Sequence, residues 1–466
     1  MKRVISRLGS LGVTMLLCFG CKNNRPNTSP VVNPAVTADS MMIVSARKEA
    51  SEVGVWILMQ GGNAFDAAIA VHFALAVVYP QAGNLGGGGF MIAHTENNEN
   101  LCLDFRETAP MQASADMYLN SDESVDQKKS LLGGLACGVP GSVRGMLDLH
   151  KKYGTMPWAE LLMPAIKLAE DGFVLTTLDI QELESVQHDL DLINGPNIFT
   201  SRSWHVGDTL RQIHLANTLK QLAVNPEDFY QGEIANQIAR DVGFSGGIMQ
   251  ITDLQNYKSI WREPLIIPFR GYQIVTMPPP GSGGIVLGQM LIWLDWMKID
   301  LYSHNSARYI QLLAELEKRA YADRSEYLAD PDFFHVPIRQ LLDTLYLINR
   351  LHLFPFNGVT PSSNIKHMPV SEHEQTTHFS IVDAKGNAVS ITTTLNSAYG
   401  SKLIIKDAGF LMNNEMDDFA AAPGVKNQFG LIGGKANCIE PGKRMLSSMT
   451  PTVVLKDNQP VLVLGS

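Results

Sequence analysis

Two adjacent threonines, Thr376 and Thr377, begin a strand-like run and could supply a nucleophile. The run reads TTHFSIVDAKGNAV and follows a loose segment, TPSSNIKHMPVSEHE. Threonine is common in β-strands, so strand propensity alone could account for both residues. The alternative is an N-terminal nucleophile. Cutting the bond between Gln375 and Thr376 would free an α-amine with a pKa of about 7.7–8, which could accept the proton of the threonine hydroxyl. The local pattern leaves both interpretations open.

The elements around this run predict a layered α+β fold. After Thr376 the segments HFSIVD, AVSITTTL, GFLMN, TPTVVLK and PVLVLG read as strands, and GGFMIAHT and LCLDF read as strands early in the chain. Residues from about 110 to 350 have mainly helical spacing of apolar side chains, with one strand at GYQIV. Strands at both ends with helices between them indicate one core that both parts of the chain share.

The glycine run in QAGNLGGGGFM could be taken for a phosphate-binding loop. It lacks both the GxGxxG pattern at a strand-to-helix turn and a following GK[ST], so a nucleotide site is disfavoured. Glycines in a row also allow two backbones to pass very close to each other. We expect the second role here.

Composition and charge exclude some function classes. The 466 residues are 45% hydrophobic and carry a formal net charge of −9, without a long basic run, so nucleic acid is not an expected partner. Cys102, Cys137 and Cys438 show neither CxxC nor metal-like spacing, and they indicate buried free thiols instead of a metal site.

The first 21 residues have the pattern of an export signal. Lys2, Arg3 and Arg7 precede a short apolar stretch that ends at Gly20-Cys21, and the stretch is too short to span a membrane. A cysteine at this junction resembles a bacterial lipoprotein signal, in which Cys21 becomes the lipidated first residue, although Cys18 stands where leucine is usual. The alternative is plain cleavage and a soluble secreted product. We expect residues 22–40 to form a flexible tether.

Several motifs in order resemble the γ-glutamyltransferase (glutathione hydrolase) family of N-terminal nucleophile hydrolases. They are GGNAFDAA, PQAGNLGGGGFM, LDFRETAP, GVPGSV, KYGTMP, MPPPGSGG, YADRSEYLADPDF, QTTHFSIVDAKGNAV, TLNSAYG, NNEMDDF and LSSMTP. The resemblance covers about Met41 to Ser466 and implies a four-layer αββα sandwich. It also implies autocatalytic cleavage between Gln375 and Thr376 into a large-subunit region, 41–375, and a small-subunit region from 376 onward. No metal or organic cofactor is implied. The implied location is the periplasm of a bacterium or a lipid anchor at its membrane.

The resemblance also implies roles for individual residues. Thr376 would be the nucleophile, and Thr394 would orient it. A γ-glutamyl substrate presents an α-carboxylate and an α-ammonium, and acceptor amino acids, peptides or water would receive the γ-glutamyl group. The implied carboxylate-binding residues are Arg106, Ser447 and Ser448, and the implied ammonium-binding residues are Asn396, Glu415 and Asp418. In isolation, each of these could equally be an ion pair, a solvated turn or a cap.

The sequence departs from the family pattern in two places. The lid loop within PGVKNQFGLIGGKANCIEPGKR carries Phe429 where many bacterial members have tyrosine, so a lid latched by that hydroxyl is not expected. The family continues past PVLVLGS into a glycine turn that forms the oxyanion hole. We therefore expect the fold to be incomplete at the C-terminus and this chain to be impaired in turnover and self-processing.

Two rival functions remain for these motifs. One is a related acylase or poly-γ-glutamate hydrolase, and the other is a non-catalytic surface binding protein with the same fold.

Overall fold

The computed structural model describes residues 35–352, 354–365 and 376–466. The proposed export signal, the lipidation residue Cys21 and Gln375 at the proposed cleavage bond lie outside these ranges. The chain separates into residues 1–39 and residues 40–466. Of the first unit, residues 35–39 are described and contain no helix or strand, whereas all the elements below belong to the second.

Two antiparallel sheets form the centre of the second unit. One has six strands in the order β1-β9-β10-β2-β3-β6, the other has four in the order β12-β11-β8-β7, and β4 and β5 form a separate pair. The strands are β1 Met42–Val44, β2 Gly88–His94, β3 Asn100–Asp104, β4 Phe173–Val174, β5 Thr209–Leu210, β6 Ile260–Arg262, β7 Leu265–Phe269, β8 Tyr272–Thr276, β9 Thr376–Val382, β10 Ala388–Thr394, β11 Thr452–Lys456 and β12 Gln459–Leu464.

Helices cover the outer faces of both sheets. They are α1 Lys48–Met59, α2 Ala64–Val78, α3 Gln127–Leu131, α4 Ser142–Tyr153, α5 Trp158–Asp171, α6 Thr177–Asn194, α7 Ile213–Val224, α8 Asp228–Gln231, α9 Glu233–Phe244, α10 Ile251–Asn256, α11 Gly283–Trp296, α12 Ala307–Tyr327, α13 Ile338–Leu341 and α14 Thr344–Arg350.

Strand alternation sorts the apolar side chains into two cores. On β2, Phe90 packs between the sheets with Val275 and Val453, whereas Met91 packs in the core of the first helical layer, with α2 and its neighbours. On the far side of the second sheet, α11 contacts β7 and packs on α12. Successive residues of a strand point to opposite faces, so one sheet contributes to both cores. The layer order is therefore αββα, and the fold class expected from the sequence is confirmed.

Helix α2 lies against the six-stranded sheet and is buried along its whole length. Its start is fixed by Asn63, whose side chain accepts hydrogen bonds from the backbone N–H groups of Phe65 and Asp66, while Asp66 accepts one from the N–H of Asn63. This reciprocal capping satisfies N–H groups that a helix start leaves free. No helix in the described part of the chain has the length and apolar character needed to cross a bilayer.

Two local expectations from the sequence were wrong. The segment GFLMN is not a strand, because Leu411 and Met412 form isolated bridges only. Conversely, one strand was expected between about residues 110 and 350, whereas the structure has five there, β4 to β8. The longest of the four that were not expected is β7, whose sequence LIIPF contains Pro268. The strand lies at the edge of its sheet, where a missing backbone N–H does not interrupt a hydrogen-bond ladder.

Candidate active site

One small cavity brings together seven of the eight residues predicted to act in catalysis or binding. Its walls also include Phe429 and Met449. The predicted residues that line it are Thr376, Thr394, Arg106, Asn396, Glu415, Asp418 and Ser447. These residues come from positions more than 300 apart in the chain, so the tertiary fold assembles the site.

The two threonines of the opening run face opposite sides of β9. Thr376 lines the cavity, whereas Thr377 is only 2% exposed and alternates with it along the strand. Directly across the ladder, Thr376 pairs with Thr394 of β10, whose Oγ1 accepts a hydrogen bond of 2.7 Å from the N–H of Asn396. Of the two threonines, Thr376 is therefore the one whose side chain can reach a ligand.

The glycine run lies beneath this pair and allows a close approach of backbones. Gly88 pairs with Thr394 in the ladder between β2 and β10. A Cβ at Gly87 would collide with the Thr394 carbonyl oxygen, and a Cβ at Gly88 would lie 2.5 Å from Glu107 Oε2. The expectation of close packing is thus confirmed by the geometry of both residues.

Arg106 is buried at the centre of a cluster of carboxyl groups. Its Nη1 lies 2.6 Å from Glu415 Oε2 and 3.6 Å from Glu107 Oε2, and its Nη2 lies 2.5 Å from Asp418 Oδ2. The Tyr257 hydroxyl donates to the Arg106 carbonyl oxygen at 2.8 Å, which fixes the backbone. The predicted carboxylate-binding arginine therefore contacts the predicted ammonium-binding carboxylates.

In this cluster one guanidinium faces three carboxyl groups, and burial raises the pKa values of two of them. Burial raises the pKa of Glu107 to about 8, and the charge of Arg106 opposes that rise only in part. Burial also raises the pKa of Glu415 well above its usual range. Protonation of Glu107 or Glu415 therefore limits the excess negative charge around Arg106.

Of the two predicted serines, one lines the cavity and the other does not. Ser447 lines it, and its Oγ accepts a hydrogen bond from the N–H of Met449 at 3.2 Å. The Ser448 hydroxyl is not part of the lining and accepts a hydrogen bond of 3.0 Å from Arg324 Nη2. A rotation of the Ser448 side chain would be needed for both hydroxyls to meet one ligand.

The loop that carries Phe429 covers the cavity from one side. Asn427 Oδ1 accepts a hydrogen bond of 3.1 Å from the N–H of Phe429. Asp417 accepts one of 3.0 Å from the N–H of Gln428 and one of 2.7 Å from the hydroxyl of Ser130. The buried carboxyl group of Asp417 thereby ties the loop to α3.

We expect Asp417 to make the folded state less stable as pH rises. Burial raises its pKa to about 6, so between about pH 4 and 6 the folded chain holds a proton that the unfolded chain releases. Stability then falls across that window by about 3 kcal/mol, from 1.36 kcal/mol per pKa unit. Thermal unfolding at pH 4, 5, 6 and 7 should show that the stability of Asp417→Asn increases relative to that of the parent as pH rises. The exposed Asp171→Asn serves as control, and parallel curves for Asp417→Asn and the parent would contradict the assignment.

Sequence reasoning gave no role to two buried groups at this site, Glu107 and Asp417. Glu107 directly follows the predicted residue Arg106, and Asp417 directly precedes the predicted residue Asp418. Adjacency in the sequence was therefore the signal that could have identified them. Within the described ranges, no group of three or more His, Cys, Asp or Glu side chains is arranged to hold a metal ion.

An αββα sandwich that presents a threonine at the start of a central strand to a charged cavity is the arrangement of the N-terminal nucleophile hydrolases. A solved cephalosporin acylase from Bacillus halodurans shares this fold, with a TM-score of 0.79 and 25% identity over 94% of this chain and 79% of that one. The gamma-glutamyltranspeptidase family model matches residues 50–466, and the chain belongs to that family.

Two relatives illustrate the similarity within the family. The glutathione hydrolase proenzyme of Escherichia coli (strain K12) is 46% identical over 438 residues, which are 92% of this chain and 76% of that protein. The solved gamma-glutamyltranspeptidase of Helicobacter pylori is 40% identical with a TM-score of 0.70, over 72% of this chain and 97% of that one.

Proposed function

We propose that this protein transfers the γ-glutamyl group of glutathione and other γ-glutamyl amides to water or to an acceptor amino acid or peptide. The observation that carries the proposal is the composition of one cavity: a threonine side chain, a buried arginine and two carboxyl groups line it together. An α-amino acid head group carries a carboxylate and an ammonium, and this set of side chains complements both charges.

Recognition would exchange partners within the Arg106 cluster. Arg106 is paired with Glu415 and Asp418. A bound substrate would give Arg106 its α-carboxylate, with Ser447 as a further donor, and would give the two carboxylates its α-ammonium. Arginine suits this task because its planar guanidinium can hold a carboxylate through two parallel hydrogen bonds. Ser448 would join after leaving Arg324.

Chemistry would proceed through an ester at Thr376. The Thr376 hydroxyl oxygen attacks the γ-carbonyl carbon, the Thr376 α-amine takes the hydroxyl proton, and that proton passes to the departing amine. Water or an acceptor amine then attacks the ester and restores the hydroxyl. Thr394, directly across the ladder, would hold Thr376 in place.

Maturation would use the same hydroxyl. Attack of the Thr376 hydroxyl oxygen on the Gln375 carbonyl carbon replaces the peptide bond with an ester and frees the Thr376 α-amine. Hydrolysis of the ester then releases the Gln375 carboxylate and restores the hydroxyl. The products would be a large subunit containing 41–375 and a small subunit beginning at 376. The E. coli relative is a proenzyme, which supports this proposal.

A related acylase is the second candidate function, favoured by the fold similarity to the cephalosporin acylase. An acylase acting on a glutaryl group would receive a substrate without an α-ammonium. Glu415 is 0% exposed, and no ammonium would then approach it or Asp418. Because unpaired buried polar groups are costly, the charged lining favours the γ-glutamyl substrate.

The test combines intact-mass measurement with two matched substrates. We expect slow formation of a new N-terminus at Thr376. For the processed chain we expect a kcat/KM for γ-glutamyl-p-nitroanilide at least about 10²-fold above that for glutaryl-p-nitroanilide, since the site is built to pair the ammonium. A reversed preference would select the acylase. An uncut, inactive chain that still binds L-glutamate would select the non-catalytic binding protein.

We also propose export of the protein with Cys21 as a lipidated N-terminus, so that it is attached to a membrane through lipid. The support is the charged, apolar and small-residue pattern of residues 1–21. The intact mass of the N-terminal peptide from cell membranes distinguishes an acylated Cys21 from plain cleavage.

A further inference from the structure

The segment 396–402, which follows β10, has an unusual backbone. Four of its residues have positive φ: Asn396 at 78°, Tyr399 at 58°, Gly400 at 52° and Lys402 at 64°. Residues other than glycine adopt this left-handed conformation at an energetic cost, and surrounding contacts must hold them there. Asn396 lines the cavity, so the conformation of the segment determines where one predicted binding group lies.

A buried ammonium group holds this segment together. Lys402 is only 6% exposed, and its Nζ donates to the carbonyl oxygens of Ala398 and Gly400, each at 2.8 Å. Among the described residues, no carboxylate forms a salt bridge with it. Burial lowers the pKa of Lys402 to about 8, and the charge of Asp189 on α6 opposes that shift. Burying a lysine ammonium against backbone carbonyl groups costs free energy. The contacts of Lys402 must therefore stabilise a conformation that the fold requires, here that of the segment 396–402.

Further contacts connect the segment to both the scaffold and the cavity. On the scaffold side, Asn194 of α6 donates to the Lys402 carbonyl oxygen at 2.7 Å. On the cavity side, Asn396 Nδ2 donates to the Asn414 carbonyl oxygen at 3.0 Å, and Asn414 Oδ1 accepts a bond of 3.0 Å from the N–H of Ser397. Asn414 directly precedes Glu415. Movement of the segment would therefore displace Asn396, one of the groups proposed to bind the ammonium.

We propose that Lys402 is a positioning residue for the ammonium-binding side of the cavity. By bridging the carbonyl groups of Ala398 and Gly400, its ammonium group keeps the segment 396–402 in the conformation that directs Asn396 into the cavity. The inference rests on the proposed function, because it concerns the group that would bind a substrate α-ammonium.

The test compares ligands that differ only in that ammonium. Lys402→Met keeps the length of the side chain and removes its charge, and Lys406→Met removes an exposed lysine of the same region as the control. Hydrolysis of γ-glutamyl-p-nitroanilide is measured per mole of processed chain, with L-glutamate or glutarate as competitor. For Lys402→Met we expect the inhibition constant of L-glutamate to rise about tenfold and that of glutarate to change less than about twofold, since only L-glutamate presents an ammonium. Lys406→Met should change neither.

A double variant tests whether Lys402 acts through Asn396. If it does, Asn396→Ala with Lys402→Met should bind L-glutamate within about twofold of Asn396→Ala alone, because effects through a shared group are not additive. Equal weakening of both competitors, or full additivity, would overturn the proposal. If Lys402→Met does not fold, Lys402→Arg keeps the charge and is expected to preserve the ratio between the two competitors; a changed ratio would overturn the proposal. Failure of the parent protein to hydrolyse γ-glutamyl-p-nitroanilide would instead refute the proposed function.

Discussion

Thr376→Ala is expected to leave the chain uncut and to lower hydrolysis of γ-glutamyl-p-nitroanilide by at least about 10³-fold. The substitution removes the hydroxyl that both proposed reactions use, and losing the nucleophile of a catalytic set can cost about as much as losing the whole set. Intact mass reports the cleavage, and initial rates report the turnover. Thr376→Ser keeps a hydroxyl and should retain cleavage.

The neighbouring threonine provides a matched control. Thr377 faces away from the cavity, and its Oγ1 is buried without a hydrogen-bond partner among the described residues. Thr377→Val has nearly the same shape and removes an unsatisfied hydroxyl, so cleavage, turnover and stability should be unchanged or slightly improved. Loss of activity in Thr377→Val, or retained cleavage in Thr376→Ala, would contradict the assignment of the nucleophile.

Arg106→Met should combine a large loss of substrate binding with a loss of stability. It removes the cation from among Glu107, Glu415 and Asp418. Breaking a buried ion pair from one side costs about 3–5 kcal/mol, and the substrate carboxylate loses its partner as well. We expect kcat/KM for γ-glutamyl-p-nitroanilide to fall about 10³-fold, mainly through KM, with Arg106→Lys intermediate because it keeps the charge but not the paired geometry.

A second arginine separates binding from stability. Arg262 Nε lies 2.7 Å from Asp104 Oδ2, and its Nη2 lies 2.8 Å from Asp332 Oδ2, outside the cavity. Arg262→Met should therefore lower the unfolding temperature without a comparable rise in KM. If Arg106→Met raises KM no more than Arg262→Met does, the proposed binding role of Arg106 is wrong.

The sequence predicted the main elements, and seven of the residues that it singled out line one cavity. The motif around Arg106 and the one around Glu415 and Asp418 are more than 300 residues apart, and the resemblance predicted that they meet. Strand alternation explains the success with β9, along which partly buried and buried residues alternate. Short strands such as β7 escaped detection because Pro268 obscured the pattern.

What the sequence could not predict is how the charged side chains of the site pair with one another. Motifs assigned Arg106 to the α-carboxylate and Glu415 to the α-ammonium of a substrate, yet the two side chains contact each other at 2.6 Å. The pairing depends on burial and on three-dimensional proximity, and residue spacing specifies neither. The same holds for Lys402, whose burial depends on a run of left-handed residues.

The strand order of the six-stranded sheet has a consequence for the two products of the proposed cleavage. β9 is hydrogen-bonded to β1 on one side and to β10 on the other, and β10 pairs with β2, so strands from before and after residue 375 interleave. Cutting that bond changes the covalent connection but leaves every ladder in place. The two pieces would then melt as a single cooperative system, neither would fold when expressed alone, and exchange of a small subunit between molecules would require complete unfolding.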